Sequence, residues 1–246
     1  MIDIGRILFT VAGTKNLPHR DNWIECNETW VPFLRKKGTQ VLILIGDPDQ
    51  SEDYIIRKNF FISKCDDSKE GLFYKKMYYP SKWILENNDF DYHFNIDSDS
   101  FVNPTRLINL LVENFNEFGE IDYMGCACPW RGNNPNTIEK MWLNDGSFAS
   151  GTACLLSRKS MKIILDNYGK YDDYPNTMED YKVGKILSDS NIPLLYDSRI
   201  YMESSYNPII QNSYNITIPF IGDESGQHIA IQHYLNGHMR EINLVG

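Results

Sequence analysis

No apolar run in this chain is long enough to cross a bilayer. The opening stretch from Ile4 to Ala12 is too short and too interrupted for a membrane span, and it has no flanks of a secretion signal. Basic residues are also scarce relative to acidic ones. Lys and Arg number 24 against 33 Asp and Glu, a net charge of -9, so no broad basic surface is available for nucleic acid or anionic lipid. Metal-finger cysteine spacing is missing too. The five cysteines (Cys26, Cys65, Cys126, Cys128 and Cys154) are an odd set and read as reduced thiols in a cytosol-like compartment. Repeats, low-complexity segments and clear linkers are likewise absent. What remains is an ordinary globular composition, 42% hydrophobic and 23% charged. The 246 residues suffice for a large core, and a single domain over 1–246 is expected.

Within that frame, strand-like and helix-like patterns alternate. Ile4 to Ala12 reads as a first buried strand, and a polar turn at Gly13–Asn16 leads to a helix with Trp23, Trp30, Phe33 and Leu34 facing inward. Val41–Gly46 is a continuous apolar run, the mark of a strand buried on both faces, and it ends at Asp47. A helix over Gly71–Leu85 precedes a strand ending at Asp97. Asn103-Pro104 is a helix start, with Asn as cap and Pro in the first turn. A strand at Tyr123–Cys128, a polar loop over 131–147, a strand at Ala153–Leu156, a helix over Lys159–Tyr168 and a helix from Glu179-Asp180 complete the pattern. This is the pattern of an α/β fold with a central, mostly parallel sheet flanked by helices. Ligands are expected at the C-terminal ends of its strands, where Asp47, Asp97 and Asp99 fall.

Asp97-Ser98-Asp99 sits at the end of a buried strand, and two carboxylates one residue apart suit a hard divalent cation that shares its charge with phosphates. A calcium loop would place glycine sixth and glutamate twelfth, but Val102 and Ile108 stand there. An aspartyl phosphatase would carry its pair after the first strand rather than in mid-chain. The third option is a nucleotide-sugar transferase.

The flanking residues favour that option. Ile96-Asp97-Ser98-Asp99-Ser100-Phe101-Val102-Asn103-Pro104, followed by Leu107, Leu110 and Leu111, closely resembles the acidic motif of the Fringe-like β-1,3-glycosyltransferases, glycosyltransferase family 31. Further blocks are similar in the same order. They are Ile45-Gly46-Asp47, Leu72–Met77 with its lysines, Phe148–Ala153 with Ser157-Arg158-Lys159 behind it, and Met178–Gly184. Ser98 inside the acidic motif and Thr152 in place of a glycine depart from the family pattern.

The resemblance implies a GT-A, Rossmann-like nucleotide-diphospho-sugar transferase fold. It also implies a metal-dependent, inverting transfer from a UDP-sugar to a hydroxyl of a glycan or other acceptor. Asp180 matches the general base, with Glu179 as its understudy; without the resemblance both would read as charges favoured at a helix N-terminus. Asp99, with Asp97, would hold Mn²⁺ or Mg²⁺, and a late histidine, His233 or else His228, would complete the ligand set. Asp97 would also contact ribose, while Asp47, Thr10, Lys76 and Arg158 would bind the donor. For Lys75, Lys76, Arg158 and Lys159 the plain alternative is a solvated helix face. The family's Golgi members carry an anchor and disulfides, so this chain is expected to be a soluble minimal form, of microbial or viral type. Two other readings stay open: a catalytically degenerate glycan-binding relative, and a sugar-nucleotide pyrophosphorylase-like transferase. The second would require a glycine-rich basic loop after the first strand, and Gly13-Thr14-Lys15 is thin for that role.

Overall fold

A computed structural model describes residues 2–15, 19–67, 69–128, 138–171, 179–202 and 231–233. The first half of the chain runs β1 (Ile7–Ala12), α1 (His19–Glu28), α2 (Val31–Lys36), β2 (Gln40–Gly46), β3 (Tyr54–Arg57), β4 (Phe60–Ser63), α3 (Lys69–Phe73), a π-helical turn (Tyr74–Tyr78), α4 (Tyr79–Glu86), β5 (Tyr92–Asp97) and β6 (Ser100–Val102). The second half runs α5 (Pro104–Phe118), β7 (Tyr123–Cys128), β8 (Lys140–Leu143), β9 (Phe148–Ser157), α6 (Arg158–Asn167), α7 (Glu179–Asp189), β10 (Leu194–Asp197), β11 (Ile200–Met202) and β12 (Ile231–His233).

Nine strands form one sheet in the order β3-β4-β2-β1-β5-β9-β7-β10-β8. Side chains alternate across it. Ile7, Phe9 and Val11 of β1, with Phe94 and Ile96 of β5, face one core that includes Trp30, Leu34, Leu107, Leu110 and Leu111. Leu8 faces a second core on the opposite side, with Phe73, Met77, Ile84, Met161, Ile164 and Val183. A sheet buried on both faces explains the continuous apolar runs of β1 and β2. Asn103 caps α5 by accepting the Arg106 N–H at 3.1 Å, as the Asn-Pro pair predicts. Among the described residues no helix is long and apolar enough to cross a membrane.

The sheet is mostly parallel, as expected: β4, β2, β1, β5, β7 and β10 all point the same way. β9, however, enters between β5 and β7 and runs antiparallel to both. Several strands lie where none is expected. β3 and β4 form a hairpin over residues 54–63, β8 falls within the segment read as a loop, and β6, β10, β11 and β12 are further additions. β3 and β8 are the edge strands of the large sheet, where one-sided burial weakens the apolar signal that marks a central strand.

Two close approaches shape the end of the sheet where the site lies. The β7–β9 register slips between Gly125 and Ala127, and the slip leaves residues 150–153 of β9 opposite Cys126 alone. Then α7 lies directly on β9. A Cβ on Gly184 would overlap the Cβ of Phe148 and crowd its backbone, so only glycine lets the helix sit this deep. A second sheet, β11-β12-β6, brings the late strand β12 alongside β6, with His233 opposite Ser100. Gly184→Ala is expected to lose about 1–3 kcal/mol through overpacking against Phe148. Chemical denaturation will measure that loss.

Candidate active site

The site begins with a proline. Pro80 has no N–H, and its ring would clash with the carbonyl four residues earlier, so the helix from Lys69 cannot pass through it in regular α geometry. The turn widens instead: the Tyr79 N–H reaches Tyr74 O, five residues back. On this π-helical turn the consecutive residues Lys75 and Lys76 both point into the protein, at 1% and 2% exposure. The solvated helix face that is the plain alternative for them is therefore overturned. Burial of an ammonium demands counter-charges, and each lysine has its own.

Lys76 Nζ lies 2.8 Å from Asp97 Oδ1, 2.5 Å from Glu179 Oε1 and 3.9 Å from Asp180 Oδ1. Asp97 arrives from β5, on the face it shares with His93 and Asn95 by the two-residue period of the strand. Glu179 and Asp180 open α7, where the helix N-terminus favours negative charge. Gly151, on the slipped part of β9, fits between the acids. A Cβ there would overlap Asp97 Oδ2 and come within 3.2 Å of Asp180 Oδ2.

Electrostatics distinguish the members. For Lys76, burial works against the charged form, but Asp97, Glu179 and Asp180 outweigh it and hold the ammonium protonated well above its ordinary range. Burial raises the Asp97 carboxyl; Lys76 opposes the rise, while Asp99 and Glu179 add to it. Glu179 is also buried, yet its contact with Lys76 keeps it below the usual carboxylate range. Asp180 is pushed up to about 7, first by burial and then by repulsion from Glu179 and Asp97; Lys76 and the Gly151 N–H restrain the shift. Glu179 is the committed counter-ion, and Asp180 is the carboxylate able to exchange a proton near neutrality.

The structure places the other sequence-predicted residues as follows. Asp99 lies in the turn after β5, with Oδ1 buried. Asp47 follows β2 at the same sheet end and pairs with Lys15 at 2.9 Å, and that hydrogen bond holds its carboxyl below the usual range. The backbone of His233 is placed beside the acidic motif, opposite Ser100. His228 lies outside the described residues. Thr10 is buried within β1, where its Oγ1 lies 2.8 Å from His93 Nε2 and donates to Asn95 Oδ1 at 3.0 Å; it packs below the site rather than lining it. Arg158 is not brought to the cluster. It starts α6 at the far end of β5, where Tyr92 pairs with Ser157, and donates to the carbonyls of Ile84, Asn87, Phe90 and Leu85. A guanidinium holding the C-terminal carbonyls of α4 is a structural cap.

Sequence reading missed Gly151 as a cradle for two acids, and it missed Asp67, the partner of Lys75. Pro80 inside a helical pattern was the available signal of a distorted helix. Among the described residues no three His, Cys, Asp or Glu side chains form a ready metal cage. Carboxylates at a strand end nevertheless fit Mg²⁺ or Mn²⁺, which take one or two carboxylates and complete their shell with phosphate oxygens and water.

The architecture is the GT-A fold of nucleotide-sugar transferases. Solved glycosyltransferase structures share it. One is a glycosyltransferase involved in glycosylation of the major capsid of PBCV-1, at 12% identity and a TM-score of 0.52, over 94% of this chain and 93% of that one. Another is the galactosyltransferase LgtC, solved with donor and acceptor sugar analogues, at 15% identity and a TM-score of 0.50, over 93% of this chain and 87% of that one. No family model matches the sequence, and no curated protein matches it either.

Lys76→Met leaves Asp97, Glu179 and Asp180 without their counter-charge and is expected to cost about 3–5 kcal/mol. Urea unfolding will show it. The deficit should shrink as pH falls, because buried carboxyls whose folded pKa is raised bind protons more readily folded than unfolded. A deficit independent of pH would contradict this account.

Proposed function

We propose that the protein is a metal-dependent, inverting glycosyltransferase of the Fringe-like type, acting as one domain on a UDP-sugar and a hydroxyl acceptor. One observation carries the reading: the cluster of Lys76, Asp97, Glu179 and Asp180 at the C-terminal edge of a GT-A sheet. The PBCV-1 and LgtC structures support the class through their shared architecture, and LgtC was solved with analogues of both substrates.

In this reading the nucleoside lies over the exits of β1 and β2, near Asp47, and the diphosphate lies toward the acidic motif. Asp99 and Asp97, with His233, would hold Mn²⁺ or Mg²⁺, whose bound charge would supply Lewis acidity toward the leaving diphosphate. Asp180 takes the proton of the acceptor hydroxyl. The freed oxygen pair forms the new bond to the anomeric carbon from the face opposite the diphosphate, whose oxygen leaves with the electrons of the broken bond. A carboxylate with a pKa of about 7 suits this role better than Glu179, which is held ionised against Lys76. Lys76 sets the spacing of the acids and opposes the rise that burial imposes on the Asp97 carboxyl.

UDP release from UDP-sugars with Mn²⁺ tests the reading. Asp180→Asn is expected to lower kcat by about 10²–10⁴-fold. Asp99→Ala and chelation should each abolish turnover while the melting temperature is kept. Undiminished turnover in Asp180→Asn would sink the mechanism. The base must be ionised to work, so kcat is expected to fall on the acid side of a limb near the Asp180 value of about 7, an apparent constant that belongs to the coupled cluster. A flat profile through that range would remove Asp180 from the role.

A further inference from the structure

Lys75, the neighbour of Lys76 on the same π-helical turn, is equally buried but pairs with a different acid, and reaches the cluster only through the pull of its charge on Glu179. Its ammonium donates to Asp67 Oδ1 at 2.7 Å and to the carbonyl of Gly13 at 2.7 Å. Asp67 is itself almost wholly buried, and its two oxygens take further backbone donors. Oδ1 accepts the Gly46 N–H and Oδ2 the Lys15 N–H, each at 2.9 Å. Gly13 follows β1 and Gly46 ends β2, so the Lys75–Asp67 pair joins the exits of two neighbouring parallel strands. The Gly13 N–H bonds to Leu44 O at 2.8 Å and closes the same corner.

Space is tight as well. A Cβ on Gly46 would lie 2.7 Å from Cys65 O and 2.8 Å from Asp67 Oδ1, so the 65–67 segment is wrapped directly over the strand end. On the outer side, Lys15, fixed through its backbone by Asp67, directs its ammonium to Asp47 at 2.9 Å, and that pair is solvent-accessible. A continuous chain of charge-assisted contacts therefore runs from the buried turn to the residue at the exit of β2. In parallel sheets this crevice beyond the strand ends is where a nucleotide binds.

We infer that Lys75 is a positioning residue for the nucleoside half of the donor site, acting through Asp67 on the β1 and β2 exits and on the Lys15–Asp47 pair. The inference rests on the glycosyltransferase reading above. The two adjacent lysines divide the work: Lys75 shapes the end that grips the nucleoside, and Lys76 shapes the end that carries out the transfer. A simple structural staple would lower stability without affecting one kinetic constant selectively, so the test is a kinetic split.

Lys75→Met alone strands a buried carboxylate, so the principal variant is the double change Lys75→Met with Asp67→Asn, which removes both charges. UDP affinity with Mn²⁺ is measured by calorimetry, and donor KM and kcat by UDP release, at a temperature where circular dichroism shows the variant folded. The expected result is a rise of about tenfold in both donor KM and the UDP Kd, with kcat held within about threefold, the signature of lost binding common to ground and transition states. Lys75→Arg, which keeps the charge, should fall between the double variant and the wild type. It carries the test alone if the double variant does not fold. An unchanged donor KM in the folded variant, or a kcat loss matching the KM change, overturns the inference while leaving the reading intact. A wild-type chain that binds no nucleoside diphosphate overturns both.

Discussion

A single buried ammonium organises the acid cluster at the end of the sheet. Lys76 has almost no solvent to stabilise its charge, so the fold must supply carboxylates, and it draws them from two distant stretches of chain: Asp97 at the end of β5 and Glu179-Asp180 at the start of α7. The same ammonium makes it possible to bury three acids together. Without it their mutual repulsion would force protonation or separation. Burial pushes every one of these carboxyls up, and Lys76 offsets the push unequally: Glu179, at 2.5 Å, is held below its ordinary range, while Asp180, at 3.9 Å and repelled by Glu179 and Asp97, rises toward neutrality.

Backbone geometry makes that arrangement reachable. Pro80 forces the π-helical turn, and the turn points two consecutive lysines inward. Gly184 lets α7 settle onto Phe148, and Gly151 leaves room for Asp97 and Asp180 to share a pocket wall. Each feature removes atoms or hydrogen bonds that regular structure would supply. β9 contributes the slipped segment that carries Gly151, and its antiparallel insertion between β5 and β7 places that segment beside Asp97. The charge cluster is thus held by rigid elements rather than by surface loops, which keeps its members within a narrow range of positions.

Much of this was legible in the chain. The continuous apolar runs of β1 and β2, the Asn103-Pro104 cap and the helical spacing of Leu107 and Leu111 follow from period and capping, and the structure places those elements there. The α/β class and the position of the acidic pair at a strand end followed too. The antiparallel course of β9 was not legible, because a buried strand has the same apolar pattern in either direction. Thr10 and Arg158 show a related limit. Their residue types suit a ligand, but one is consumed within the sheet by His93 and Asn95, and the other by the carbonyls ending α4.

By itself the sequence determined where the carboxylates stand along the chain and which of them end strands or begin helices, since period, caps and proline are local properties. Only the tertiary structure decided what each charge does. A lysine on a helical pattern reads as solvated until the sheet beneath it is known, and Lys75 and Lys76 differ by one position yet serve opposite ends of the site. Asp67, unremarkable in a polar stretch, becomes the hub of a strand-end brace, while Asp180 acquires its shifted affinity from burial, from Glu179 beside it and from Asp97, more than eighty positions earlier in the chain. The reason is physical: desolvation and Coulomb interaction depend on what surrounds a group in space, and that is set by packing rather than by neighbours in the chain.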